Sequence, residues 1–346
     1  MKDKKELATN MLIGILVLAI VAVVGFTIVI LQKNSALLQE TATEQNSDKL
    51  QTTDTGMVEK WQEGDVSYNG KTYRYNTSIK TYLFMGIDKD GVVTTAEDGI
   101  SGGQSDVLFL FVENDKTKEL SIIAIHRNTM ARLDIYDEAG NYVGQAKGQI
   151  CLQHAYGDGK RQSCQRSVEA ISYLFYNLPI DGYFALNMGG VPALNDAVGG
   201  VEVEVLHDLK SETKNVSLTA GETVLLSDDE AYVYLRSRDV DEFDSATRRL
   251  ERQQQYLSAL ASKVEAVAAQ GESQLLKIYD AVEDYSVSNI DFAELAEDVA
   301  GYEQGSIKMY SLPGETQMGE KFEEYHLDKD AFYDLVIEVF YEEVTE

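Results

Sequence analysis

The segment Met11–Leu31 (MLIGILVLAIVAVVGFTIVIL) constrains this chain more than any other, because it carries no charge and its only polar side chain is Thr27. As a helix rising about 1.5 Å per residue it spans roughly 30 Å, the hydrocarbon thickness of a bilayer. Lys2, Lys4 and Lys5 precede it and Lys33 alone follows closely, so the N-terminus is expected in the cytoplasm and everything after residue 31 outside. A cleaved signal peptide is the competing reading. Its apolar stretch would be only about 7–15 residues long, and Leu31-Gln32-Lys33-Asn34 makes a poor cleavage site. The expected arrangement is a cytoplasmic tail over 1–10, a transmembrane signal anchor over 11–31, and a single-pass cell-membrane protein with its catalytic part extracellular.

Residues 32–71 are polar, show no apolar period, and read as an extracellular stalk. From Thr72 onward the pattern changes. Tyr82–Ile87, Val107–Val112 and Leu120–Ile125 are short, mostly unbroken apolar runs, as in strands covered on both faces. Tyr183–Leu186 is a further strand, and Val201–Val205 alternates and so should be half exposed. Helices are predicted over Ser167–Leu178, from a capping box at Ser227-Asp228-Asp229-Glu230, over Asp244–Gln270 ending at Gly271, over Phe292–Ala300, and over Lys329–Val344. Strands alternating with helices predict an α/β fold over 72–346: a three-layer α/β/α sandwich with a central mixed sheet, preceded by one transmembrane helix.

Charge and motif content narrow the function. With 30 basic against 58 acidic residues the net charge is −28, which argues against nucleic acid as a partner. Bulk charge would not hold the exported part to anionic lipid either, so membrane contact falls to the helix or to a specific apolar site. No C-x-x-C or H-x-x-x-H pair offers a structural zinc site. Cys151 and Cys164 flank a glycine-rich turn; outside the cell a disulfide between them is expected, two free buried thiols being the alternative.

Arginine is distributed unevenly. Of ten in the chain, Arg236, Arg238, Arg248, Arg249 and Arg252 lie within one short stretch. Arg249 and Arg252 are i,i+3 on the predicted long helix, so they share a side. Pairing with Asp239, Asp241, Glu242, Asp244 and Glu251 on a solvated face would explain the knot blandly. The functional reading is a cradle for phosphate or pyrophosphate, which guanidinium forks grip bidentately. Asp88 ends one predicted strand and Asp106 opens the next; if these strands are neighbours, both carboxylates reach one sheet edge and suit Mg²⁺, whose shell is completed by phosphate oxygens. Gly102 and Gly103 would let the backbone come close there.

The order TYLFMGID, GGQSDVLFLFV, IIAIHRNTM, GQICLQHAYGDG, NDAVGGVEVEV, AYVYLRSRD and RRLERQQQYL resembles the LytR–CpsA–Psr family of bacterial cell-wall proteins over about residues 80–265. That resemblance implies an α/β/α sandwich with a hydrophobic pocket for a polyprenyl-pyrophosphate lipid. It implies a phosphotransferase that moves a glycopolymer from this carrier to peptidoglycan as a phosphodiester, in a Gram-positive-type envelope. By the same resemblance Asp88 and Asp106 match the metal-binding aspartates, for Mg²⁺ or Mn²⁺. Arg127 matches the arginine of a P-R-D-T motif, here His126-Arg127-Asn128-Thr129. Arg236 and Arg238 match the paired arginines, and Arg249, Arg252 and Gln253 the R-x-x-R-Q helix motif. The pyrophosphate would contact Arg127, Arg236, Arg238, Arg249, Arg252 and Gln253, with Lys89 adding positive charge; Arg127, Arg236, Arg238 and Arg249 would be catalytic. The chain departs from the family pattern at Gln104, where arginine is common, at Asn128, in a longer Asp88–Asp106 segment, and in the distance from Asp244 to Arg249. Those departures leave two other readings: a lipid-binding or regulatory envelope protein without transferase activity, and a lipid pyrophosphatase.

Overall fold

The computed structural model describes residues 65–344 apart from 240, 269, 271 and 291–306. The predicted anchor at 11–31 and the predicted helix at Phe292–Ala300 lie outside the described residues. Among those described, no helix is long and apolar enough to cross a membrane.

Strands β1 (Asp65–Tyr68) and β2 (Lys71–Tyr75) form a hairpin, so the last part of the segment expected to be stalk is folded. Their side chains alternate between exposed and half-buried, which is why no apolar run marks them in sequence. Then follow β3 (Ile79–Ile87), β4 (Ser105–Asn114), β5 (Glu119–Ala124), and the hairpin β6 (Met130–Tyr136) and β7 (Tyr142–Gln149). A 3-10 turn at Ile150–Ala155 leads to helix α1 (Arg161–Leu174), then β8 (Gly182–Asn187) and α2 (Val191–Ala197). Short strands β9 (Val201–Glu204), β10 (Leu209–Ser211), β11 (Val216–Leu218) and β12 (Thr223–Leu226) precede α3 (Asp228–Arg236), α4 (Ser245–Ala268) and α5 (Glu272–Val282). The chain ends through β13 (Ser286–Ser288), β14 (Ile307–Ser311), β15 (Gly314–Met318), β16 (Glu323–Leu327), α6 (Lys329–Phe340) and β17 (Tyr341–Glu343).

The central sheet has the order β13-β8-β3-β4-β5-β14. β4 runs antiparallel to both β3 and β5, while β8 on β3 and β14 on β5 are parallel, so the sheet is mixed as expected. Successive residues of β3 alternate between two cores. Tyr82 and Phe84 join Phe109, Phe111 and Phe184 on the face covered by α2–α5. Leu83, Met85 and Ile87 join Leu108, Leu110 and Ile123 on the face covered by α1 and α6. Period-two alternation with apolar residues at both phases requires this helix–sheet–helix layering.

Three helix boundaries differ from expectation. Helix α1 starts at Arg161 rather than Ser167 and stops at Leu174, because Tyr176 and Asn177 take positive φ values of 58° and 63°. The final helix ends at Phe340 instead of Val344, and Tyr341–Glu343 pairs with β2. Helix α4 covers Ser245–Ala268, after Asp244 at φ 61°. The capping box on α3 is as predicted, with Ser227 and Glu230 bonding reciprocally to backbone N–H groups.

Candidate active site

The register Ile87↔Ser105 puts the end of β3 beside the start of β4, and Phe109↔Ala124 brings the end of β5 to the same sheet edge. Asp88, Asp106 and Arg127 follow from that pairing. The Asp88 Oδ1 accepts the Gln104 N–H at 2.6 Å, and Asp88 N–H donates to the Gln104 carbonyl at 3.0 Å. Gly103 permits this turn: its φ is 88°, and a Cβ there would sit 3.1 Å from Asp88 Oδ1. Burial raises the Asp88 carboxyl above the ordinary carboxylate range; the Gln104 N–H works against this, and the Asp106 charge adds to it.

Asp106 is gripped from two sides. Arg127 Nε lies 2.9 Å from Oδ1 and Arg249 Nη1 3.0 Å from Oδ2. The first contact is an ion pair without hydrogen-bond alignment, so Oδ1 keeps an unused lone pair. Arg127 also donates to Gln104 Oε1 and, at 3.1 Å, to Cys151 Sγ. Arg249 comes from α4, is 3% exposed, and has its Nη2 buried without a partner. Burial pushes its guanidinium down to about 10, only partly offset by Asp106. Arg238, half-buried, makes no hydrogen bond or ion pair to a described residue; burial lowers its pKa and the nearby Arg127 charge lowers it further. Two guanidinium groups, Arg127 and Arg249, therefore pair with the single carboxylate of Asp106 while the third, Arg238, pairs with none among the described residues, and the imbalance calls for an anionic ligand.

Other predicted residues sit differently. Arg236 is at the rim, donating to the Tyr232 hydroxyl with Asp90 3.5 Å away, and Lys89 is exposed beside it in the chain. Arg252, predicted to bind pyrophosphate, instead donates Nε to the Tyr234 carbonyl at 2.8 Å and Nη2 to the Ser237 carbonyl. Gln253 donates to the Leu235 carbonyl at 3.1 Å. Both thus satisfy carbonyls that the end of α3 leaves open, and they hold Arg236 and Arg238 in place. Arg248 pairs with Glu242 at 2.7 Å on the solvated side, the bland reading of the arginine knot. Cys151 and Cys164 are free, buried thiols and not a disulfide: the first faces Arg127, the second lies 3.7 Å from His154 Nε2, and burial pushes them up to about 11 and about 12.

Sequence reasoning missed a second ring of residues. His126 Nδ1 accepts the Asn128 N–H at 3.2 Å, its ring stacks on Tyr325 with centroids 4.5 Å apart, and Nε2 meets Thr247 Oγ1 at 3.3 Å. Thr247 and Thr316 both donate to Asp244 Oδ1, and Glu323 Oε1 accepts the Asp244 N–H at 2.6 Å. Burial drives His126 down to about 4, so it is a neutral strut under the arginines. Only the position of Asp244, directly before the long helix, hinted at this ring.

Beside the arginines opens an almost wholly apolar cavity enclosing roughly 1060 Å³ of atom-free space, part of it continuous with solvent. Phe84, Phe109 and Phe184 form its sheet wall, and Tyr256, Leu260 and Ile278 its helix wall. Its lining includes Val107, next to Asp106, Leu235, next to Arg236, and Gln253, one helical turn after Arg249, so the cavity ends beside the charged cluster. At Gly86 a Cβ would lie 2.8 Å from Val107 Cγ2, so a larger residue could not pair there. Among the described residues no group of three or more His, Cys, Asp or Glu side chains could hold a metal.

Residues 29–336 match the LytR_cpsA_psr family, and the chain belongs to it. It is 28% identical over 260 residues to a polyisoprenyl-teichoic acid–peptidoglycan teichoic acid transferase, TagU, of Enterococcus faecalis, covering 74% of this chain and 75% of that one. To the transferase TagV of Bacillus subtilis it is 26% identical over 257 residues, covering 72% of this chain but 60% of the relative. The crystal structure of a Streptococcus agalactiae protein has the same fold, with a TM-score of 0.62 at 21% identity over 76% of this chain and 87% of the other.

Proposed function

We propose that this chain transfers a polyprenyl-pyrophosphate-linked glycopolymer to peptidoglycan, forming a phosphodiester and releasing polyprenyl phosphate. The observation that carries this reading is adjacency: a cluster of buried, incompletely neutralised guanidinium groups lies beside a cavity with almost no polar lining. An amphiphile with a long hydrocarbon tail and a strongly anionic head matches both halves at once. The names of the TagU and TagV relatives agree with it.

The tail occupies the cavity between the phenylalanine wall and α4–α5, and the pyrophosphate meets Arg127, Arg238 and Arg249, with Arg236 at the rim. Arg249 Nη2, now without a partner, gains an acceptor. Asp106 holds Arg127 and Arg249 in one geometry before the ligand arrives, so little reorganisation is needed as charge moves onto the departing phosphate. Asp88 and the unused lone pair of Asp106 Oδ1 fit a divalent cation that takes two protein carboxylates and completes its shell with phosphate oxygens and water. Such an ion, Mg²⁺ or Mn²⁺, supplies charge neutralisation at the phosphates. Met11–Leu31 anchors the chain in the cell membrane with residues 32 onward outside, where both substrates are found.

The test supplies purified lipid-linked polymer with and without peptidoglycan. Polymer covalently attached to the wall is the expected product; polymer released into solution in both arms makes the protein a pyrophosphatase, and unchanged substrate makes it a binding protein.

A further inference from the structure

A second pocket lies on the opposite side of the sheet from the apolar cavity, between β6 and α1, enclosing roughly 670 Å³ of atom-free space that is partly open to solvent. Arg132 and Asp134 project from β6 at i,i+2, and Arg166, Glu169 and Tyr173 from α1 at i,i+3,i+7, so two element faces converge. The site is stiffened from below. The Gln153 amide accepts the Asp134 N–H at 2.9 Å and donates to the Asp134 carbonyl at 3.0 Å, extending β6 as a further strand would. Both guanidinium groups sit against aromatic faces: Arg132 Cζ lies 4.0 Å from the Tyr173 ring centroid and Arg166 Cζ 3.3 Å from that of Tyr136. Stacking fixes the plane of a guanidinium and leaves its N–H edge free to bond.

One nitrogen of that edge on Arg166 has no acceptor among the described residues. Arg166 is 9% exposed, yet its Nη1 is buried with no hydrogen-bond partner. Leaving a buried charged donor unpaired is costly, and it points to an acceptor that the protein does not itself supply. Arg132 and Glu169 also make no hydrogen bond or ion pair to a described residue, and Asp134 bonds only Gln145, at 2.8 Å, through its side chain. The pocket therefore holds two positive and two negative groups, and its charges cancel. A plain anion such as phosphate would be repelled by the carboxylates about as strongly as it was attracted by the arginines. A ligand with both signs a few ångströms apart would satisfy all four groups.

We propose that this pocket binds a small zwitterion, its carboxylate on Arg132 and Arg166 and its ammonium on Asp134 and Glu169. A free amino acid and the end of a short peptide share this chemistry. The site is separate from the arginine cluster at Asp106 and does not depend on the function proposed for it.

Isothermal titration calorimetry on the full-length chain tests the proposal, with alanine, dialanine, N-acetyl-dialanine, dialanine amide and inorganic phosphate as probes. Alanine, dialanine or both should saturate the protein below about 10 mM, and which of them binds distinguishes a free amino acid from a peptide end. Each capped dipeptide, and phosphate, should bind at least about tenfold more weakly than the better zwitterion. Arg132→Ala and Glu169→Gln, both at accessible positions, should each weaken binding about fivefold or more while circular dichroism stays unchanged, so the outcome does not rest on the buried Arg166. Absence of saturation by either zwitterion, phosphate binding as tightly as they do, or undiminished affinity in both variants would overturn it.

Discussion

The two faces of the central sheet are built from the same strands, yet one is solid and the other hollow. On the solid face Leu83, Met85, Ile87, Leu108, Leu110 and Ile123 pack directly against Ile171 of α1 and Phe332, Val336 and Phe340 of α6. On the hollow face the alternate positions of those strands are aromatic, and Phe84 stands 4.4 Å from Phe111 and 5.6 Å from Phe184, ring centre to ring centre. Branched and flexible side chains relax into gaps, whereas rings braced against one another form a wall that cannot slump into the space before it. Apolar alternation sets how many layers a sheet has; the shape of the apolar residues sets whether a layer closes.

The largest expected effect joins the hollow to its charged rim. Arg249→Ala should lower transfer about 10²–10³-fold, roughly the cost of one donor to developing charge, measured as polymer attached to the wall per unit time. Retained turnover would mean that the hollow serves something other than this head group. The next contrast is between the faces themselves. Leu110→Ala on the solid side should cost about 2–5 kcal/mol in denaturant unfolding, because it opens a new void. Leu257→Ala, beside space that is already open, should cost less than about 1 kcal/mol, since it forfeits few contacts. Equal losses would erase the distinction. Third, Leu257→Trp should fill the hollow, leaving unfolding nearly unchanged while transfer falls at least about tenfold through loss of tail binding.

The smallest effect concerns Asp88. Its carboxyl is raised above the ordinary range, first by burial, so the folded protein binds this proton more tightly than the unfolded chain does. The stabilising contribution of the protonated group is complete below the unfolded pKa and is lost as pH rises through the folded one. Asp88→Asn should therefore melt slightly higher than the parent at neutral pH, with the difference shrinking in acid. A melting point unchanged or lowered at neutral pH would contradict the assignment of burial as the dominant cause.

Much of this was legible from the chain alone, for identifiable reasons. The three apolar runs around Leu83, Leu110 and Ile122 had to be covered strands, and their neighbouring order delivered Asp88, Asp106 and Arg127 to one edge. What could not be read was direction. Arg252 and Gln253 share a helix turn with Arg249, but only Arg249 reaches Asp106; the other two turn to the carbonyls that α3 leaves bare. The cavity was equally hidden, since Phe84 and Phe109 look in sequence like any core residues. Glu323 and Tyr325 lie far along the chain from the residues they brace, with no local pattern to announce them. The expected disulfide failed because proximity across a turn says nothing of where each thiol points.

The bracing hairpin has a consequence for how the protein comes into being. Tyr325 backs His126, and Glu323 holds the backbone of Asp244 at the head of the helix that carries Arg249. A ribosome delivers these two residues long after it has delivered the arginines. Every unfinished chain thus has its guanidinium groups without the buttress that aligns them, and a chain cut short just before Glu323 keeps all its arginines but lacks the residues that hold their helix in place.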